Sequence, residues 1–212
     1  MEHIMFIKSV TGLGTSSICV TIADENTGGS ERLFISAPFY KKYETVCIQG
    51  TVVSEELYLK LKTSAERSAA VKEASRIIGS RDVSRYDLIS RLKKRGISED
   101  SAEYAADVLK RNGYLDEEAA CIRIAEALVS SKHYGKRRIY EYLLMHHYDK
   151  TNAQKAVSSI PESAYLKALR YNVGHKCPDI KSLSFEEKQK KIQSLLRLGF
   201  SGSEINEVLH SI

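Results

Sequence analysis

The chain has little of what interrupts regular structure: 12 Gly and 3 Pro in 212 residues. That scarcity excludes an all-β sandwich with a turn every few residues, and equally a disordered or collagen-like chain. No apolar run reaches the roughly 18 residues of a membrane-spanning helix, and the opening Met1-Glu2-His3-Ile4 lacks the basic, then apolar layout of a signal peptide. A cytoplasmic protein with no membrane partner is expected. The four cysteines, Cys19, Cys47, Cys121 and Cys177, form no Cys-x-x-Cys pair, so they are expected to be reduced thiols acting as small buried hydrophobes.

What is present suits a folded, soluble chain, with 42% hydrophobic and 28% charged residues, enough for one medium domain or two small ones. Against 27 Asp and Glu stand 32 Lys and Arg, a net +5 that permits an acidic partner without demanding one.

Residues 1–53 read as a small antiparallel β segment. Ile4 to Val10, Ser17 to Ala23 and Arg32 to Ile35 are rich in β-branched and aromatic residues, separated by Gly12-Leu13-Gly14 and Asn26-Thr27-Gly28-Gly29. Tyr43 to Ile48 and Thr51 to Val53 predict a further strand around Gly50. So thin a sheet needs something to cover its apolar face.

From Ser54 the signals become helical. Ser54-Glu55-Glu56 is a cap followed by first-turn acids and opens a helix to about Ile78. Ser84-x-x-Asp87 has capping-box form, with Leu88, Ile89 and Leu92 at helical spacing and Gly96 at the C-terminal stop. Ser98 restarts a helix that Asn112-Gly113 ends, and Asp116 starts the next.

Gly96-Ile97-Ser98 then recurs as His147-Tyr148-Asp149 and as Gly199-Phe200-Ser201, at spacings of 51 and 52 residues. Leu92, Leu143 and Leu195 precede the three corners at one offset; Ala102, Ala153 and Ile205 follow at another, as do Leu109, Ile160 and Ile212. Each corner is a stop, one apolar residue and a Ser or Asp cap. Before each pair lies one more helix: Ser54 to Ile78, Glu117 to Ser131, and Glu162 to Val173 with Pro161 at its entry. The expected fold is mainly α, three tandem three-helix repeats (54–115, 116–160 and 161–212) in an elongated curved array behind the β segment.

Catalytic and metal chemistry find little support. Gly12-Leu13-Gly14-Thr15-Ser16 lacks the Lys and following helix of a phosphate loop and reads as a hairpin turn. His146 and His147 are adjacent, so on a helix their rings diverge rather than share a metal, and His175-Lys176-Cys177-Pro178 has no second pair to complete four ligands. Glu117-Glu118 and Glu186-Glu187 fit helix first turns. No nucleophile-base signature occurs, so no catalytic residue, metal or cofactor is expected.

Charge remains. Residues 1–80 carry 9 basic and 9 acidic residues, 81–150 carry 14 and 12, and 151–212 carry 9 and 6, so the whole surplus lies in the helical part. Its clusters are Lys93-Lys94-Arg95, Lys110-Arg111, Lys136-Arg137-Arg138 and Lys188 with Lys190-Lys191, with Tyr134 and Tyr140 nearby. Such groups can hold phosphates or acidic side chains, and Tyr can stack on bases; solvated helix faces with Tyr in the core are the plainer reading of any single cluster.

Ser84-Arg85-x-Asp87-Leu88, Gly113-Tyr114-Leu115-Asp116-Glu117, Gly135-x-Arg137-Arg138-Ile139 and Leu195-x-x-Leu198-Gly199-Phe200-Ser201 resemble the RecX regulatory proteins of bacteria, over about residues 60–212. The β segment looks like the extension of longer members. The chain departs from the family at His146-His147-Tyr148, where Lys-Gly-Ile is usual, so His147 would have to be left-handed. Ala119-Ala120 replaces a usual aromatic, and Lys191 stands where the other copies have Leu88 and Ile139.

The resemblance implies a monomeric, non-enzymatic modulator of RecA recombinase in recombination, DNA repair and the SOS response. It would bind the RecA nucleoprotein filament and restrain ATPase, strand exchange and co-protease activity. Lys93, Lys94, Arg95, Lys110, Arg111, Lys136, Arg137, Arg138, Lys190 and Lys191 are then the candidate contacts to RecA or to single- or double-stranded DNA. The alternative is a direct DNA-binding regulator acting without RecA, which the acidic Ser98-Glu99-Asp100 after the first corner disfavours.

Overall fold

A computed structural model describes residues 4–177, 180 and 182–211. Ile212 of the repeat pattern, Pro178 and the opening Met1-Glu2-His3 lie outside them. Contacts divide the chain into two units, residues 1–80 with 88–114, and residues 81–87 with 115–212.

The first unit begins with an antiparallel sheet of β1 (Met5–Leu13), β2 (Ser17–Asp24), β3 (Ser30–Ser36) and the short β4 (Val52–Val53), in the order β3-β2-β1-β4. The β1-β2 turn contains Gly14 at φ +72. In the β2-β3 turn the Asp24 carboxylate accepts the backbone N–H groups of Asn26 and Thr27, at 2.8 and 3.1 Å. Register places Val20 opposite both Val10 and Leu33, with an irregularity between Ile7 and Ser9. Ile7, Val20, Ile22, Leu33 and Ile35 are buried together.

The cover that so thin a sheet requires comes from the helix after it. Between β3 and β4 lies α1 (Ala37–Tyr43), and α2 (Glu55–Ile78) follows β4. Leu61 of α2 is fully buried in the sheet core, with Leu57 and Ala65 packed beside it. The expected strand at Tyr43 to Ile48 does not form. The Ser36 hydroxyl instead accepts the Phe39 N–H, Pro38 sits in a first turn that needs no donor, and Cys47 turns inward to the sheet core. Val52 and Val53 pair with β1 as a short strand, and Gly50 and Thr51 before them exchange backbone hydrogen bonds with Ile7.

Next come α3 (Arg85–Lys94), which the division into units cuts after Asp87, and α4 (Glu99–Arg111), which packs on α2. The second unit contains α5 (Glu117–Lys132), α6 (Lys136–Met145), α7 (Lys150–Ser159), α8 (Glu162–Lys176), α9 (Phe185–Arg197) and α10 (Gly202–His210). Its core includes Ala125, Ile139, Leu143, Ala153, Leu169 and Leu195. Asp116 caps α5 and Asp149 caps α7, while Ser184 and Ser201 form reciprocal capping boxes with Glu187 and Glu204. Pro161 occupies the N-cap of α8, one position before the first helical residue.

The three corners share their backbone. Gly96, His147 and Gly199 have φ of +82, +60 and +93. Their N–H groups donate to Lys93, Leu144 and Leu196 carbonyls at 2.9 to 3.0 Å, and Ile97 and Tyr148 donate to Leu92 and Leu143. Leu92, Leu143 and Leu195 are fully buried, as are Ala102, Ala153 and Ile205, and Leu109 and Ile160 are buried too. Lys191 is half-buried where Leu88 and Ile139 are fully buried.

Candidate functional site

Two of the basic clusters lie at helix C-termini, where cations favour the dipole; Lys136-Arg137-Arg138 opens α6, and Lys188 with Lys190-Lys191 lies within α9. At the end of α3, Lys93 reaches Glu99 at 2.8 Å and Arg95 pairs with Glu73 of α2, which also holds Arg76 at 3.0 Å. Lys94 is exposed and makes no ion pair among the described residues. Lys110 and Arg111 end α4; both are exposed, and Arg111 reaches back to the Asp107 carbonyl at 3.4 Å.

The cluster that opens α6 is built differently. Gly135 donates to the Leu198 carbonyl at 2.8 Å, and Arg137 donates its backbone N–H to the Gly199 carbonyl at 3.2 Å. A Cβ on Gly135 would lie 2.5 Å from Gly199 backbone atoms, and one on Gly199 would strike the backbone of Arg138. The Gly-x-Arg-Arg and Leu-Gly-Phe-Ser stretches thus meet backbone to backbone, which only glycine permits. The Arg137 guanidinium donates to the Leu196 carbonyl at 2.7 Å, a second donor beside the Gly199 N–H at the end of α9, with Glu141 3.7 Å from its Nε. Lys136 lies between Glu162, at 2.5 Å, and the face of Tyr165, 5.3 Å from its centroid. Arg138 lies over Tyr134 at 5.8 Å and is exposed.

Tyr134 and Tyr140, expected as stacking candidates, are half-buried and pack against the core. On α9, Lys190 is exposed and Lys191 half-buried. Of the ten candidates, Lys94, Lys110, Arg138 and Lys190 are exposed cations without an acidic partner among the described residues; Lys93, Arg95, Lys136 and Arg137 are engaged within the chain.

Four histidines pack against tyrosines. His146 stacks on Tyr142 at 4.3 Å and His147 on Tyr86 at 4.1 Å, so their rings go to different partners. Tyr171 stacks with His133 at 3.8 Å and with His175 at 4.1 Å. No group of three His, Cys, Asp or Glu stands together as a metal site among the described residues, nor is any helix among them long and apolar enough to cross a membrane. All four cysteines are free and buried. Burial, reinforced by the Glu117 carboxylate, pushes the Cys121 thiol up to about 12, and burial also raises the Tyr148 phenol. Neither is poised as a nucleophile near neutral pH.

Sequence reading passed over Arg123, whose guanidinium forks onto both oxygens of Asp82 at 2.5 to 3.3 Å. It also passed over Asn172, buried on α8, which donates to the His133 carbonyl at 2.9 Å and so receives the end of α5. Their partners lie 41 and 39 residues away, beyond the reach of local spacing.

No protein-family model matches the chain. Among curated proteins, regulatory protein RecX of Caldanaerobacter subterraneus subsp. tengcongensis is 26% identical over 163 residues, 76% of this chain and 80% of that protein. A crystal structure of regulatory protein RecX superposes with a TM-score of 0.77 at 13% identity, covering 96% of this chain and 99% of the other. That span leaves too few residues outside it to omit the N-terminal sheet. The crystal structure of RecX from Lactobacillus salivarius superposes with a TM-score of 0.62 at 18% identity, over 69% of this chain and 96% of the other. The chain is therefore similar in sequence to a RecX regulatory protein and has the fold of RecX crystal structures.

Proposed function

We propose that this protein is a cytoplasmic, monomeric regulatory protein without catalytic activity, which binds the RecA nucleoprotein filament and restrains its ATPase, strand-exchange and co-protease activities. The observation that carries the reading is the sequence likeness to a regulatory protein RecX over three quarters of the chain. The β segment (1–53) and three tandem helix triplets (54–115, 116–160 and 161–212) are the proposed organisation, supported by the shared corner geometry at Gly96, His147 and Gly199.

Exposed cations at several helix ends suit an extended acidic partner, because contacts that are individually weak sum when presented together. Lys94, Lys110, Arg138 and Lys190 are the contacts with charge to give; Arg111 and Lys191 support them. Lys93, Arg95, Lys136 and Arg137 contribute to the local field while holding their own helices. The first corner does not suit a base-reading helix, because α4 opens on Glu99 and Asp100.

The test is a titration of this protein into RecA hydrolysing ATP on single-stranded DNA. Hydrolysis falls with added protein, and a Lys94→Glu, Arg138→Glu, Lys190→Glu variant requires more protein for the same fall. An ATPase rate that the protein leaves unchanged removes the reading; equal inhibition by the variant removes those three residues from it.

A further inference from the structure

A groove of about 630 Å³ opens within the first unit, bounded by α2, the β1-β2 turn, the start of α1 and α4. Its α2 wall presents Ser64, Arg67, Ser68 and Lys72, which share one helix face. Ser16 of the turn and Ser17 at the start of β2 stand on another side, and Tyr104 of α4 on a third. Among the described residues no Asp or Glu lines it. Two cations and several hydroxyls therefore face a common space with no anion of the chain's own.

Arg67 of α2 packs on α4 yet keeps an unused donor. Its guanidinium carbon lies 4.8 Å from the centre of the Tyr104 ring, within cation–π range. Its Nε–H is buried and has no hydrogen-bond partner. A buried donor on a charged group is unfavourable until an acceptor reaches it, and folding provides none here. Neither Arg67 nor Lys72 pairs with a carboxylate among the described residues.

A carboxylate offers two oxygens, enough for the Arg fork alone. A phosphate offers three or more acceptors with greater charge, which the fork, a Lys five residues on and neighbouring hydroxyls can share. The groove is also larger than a lone ion needs and has room for the organic part of an ester. We propose that it binds a phosphate ester, the chemistry shared by a free nucleotide and by a nucleic-acid strand. The proposal goes beyond the RecA reading and does not need it, since the groove would bind with no recombinase present.

The test uses the full chain and two probes, adenosine diphosphate and a short oligothymidylate, with the Arg67 Nε–H resonance as the readout, assigned by its loss in Arg67→Gln. The resonance shifts on saturable addition of at least one probe. Lys72→Gln, an exposed substitution that leaves the Arg67 signal present, weakens that binding by about tenfold; Lys94→Gln, outside the groove, leaves it unchanged. A response to the diphosphate alone identifies a free nucleotide as the source, and a response to the oligonucleotide alone identifies a strand. The proposal is overturned if neither probe moves the resonance, if Lys72→Gln binds as well as the parent, or if a poly-glutamate peptide binds there more tightly than both probes.

Discussion

Lys93-Lys94-Arg95 and Lys136-Arg137-Arg138 look alike in sequence, yet the fold holds them by different means. The first ends a helix and is partly neutralised by Glu99 and Glu73, leaving Lys94 outward. The second begins a helix behind a glycine pressed onto Gly199; Arg137 is turned to the Leu196 carbonyl and Lys136 is set between Glu162 and Tyr165. Each triplet keeps one outward cation, Lys94 or Arg138; carboxylates hold the rest of the first, and the backbone end of another helix holds part of the second. The difference comes from what lies some 60 residues downstream, since Arg137 and Leu196 are 59 apart.

The contrast is broken most directly at the glycines. Gly199→Ala combines a left-handed residue with a backbone collision, so it destabilises by roughly 4–5 kcal/mol, whereas Gly96→Ala, with open space at its Cβ, loses only roughly 1–2 kcal/mol to conformation. Urea unfolding of the two variants measures the gap; equal losses would mean that the approach of Gly199 to the Arg138 backbone is not tight. Leu143→Ala, at a fully buried corner position, loses about 3 kcal/mol in the same assay.

A smaller effect separates the two arginines. Arg137→Ala lowers stability by about 1 kcal/mol through loss of its hydrogen bond to the Leu196 carbonyl at the end of α9, while Arg138→Ala changes stability by less than about 0.5 kcal/mol and weakens single-stranded DNA binding instead. For each phosphate that is no longer neutralised, the slope of log affinity against log salt flattens by about 0.7. If both variants behave alike, the division between fastening and surface fails. At the middle corner, His147→Gly should be more stable than His147→Ala by about 1 kcal/mol, since both lack the ring and only Ala is strained at φ +60.

The last prediction concerns pH. Cys121 is raised from 9.0 to about 12, so the folded state disfavours its thiolate. Its contribution to stability is complete below the unfolded value of 9.0 and is lost as pH rises through the folded value of about 12. Alkaline unfolding of Cys121→Ala should therefore have a shallower slope across that window than the parent; an identical slope would show that the thiol does not titrate with unfolding.

Much of the helical framework was legible in advance because caps and stops are local chemistry. Ser54, Asp116, Asp149 and Ser201 each accept a backbone N–H two or three residues on, so those few positions suffice to place a helix start. The left-handed His147 followed from its alignment with Gly96 and Gly199. Helix α1 was missed because seven residues carry too little periodicity to outweigh the β-branched, aromatic look of the neighbouring stretch. The groove at Arg67 was missed because its walls come from three separated parts of the chain; the signal present was a run of Ser, Arg, Ser and Lys on one face of a helix whose other face is core.

By itself the sequence determined where helices begin and end, which leucines go inside and that the surplus charge lies in the helical part, because capping, periodicity and composition act over a few residues. Only the tertiary structure decided which cations remain available to a partner, why Gly135 and Gly199 must both be glycine, and that Arg67 faces a hydroxyl-lined space without an acceptor. Those outcomes depend on atoms brought together from distant positions, where an approach of about 3 Å cannot be read from spacing along the chain.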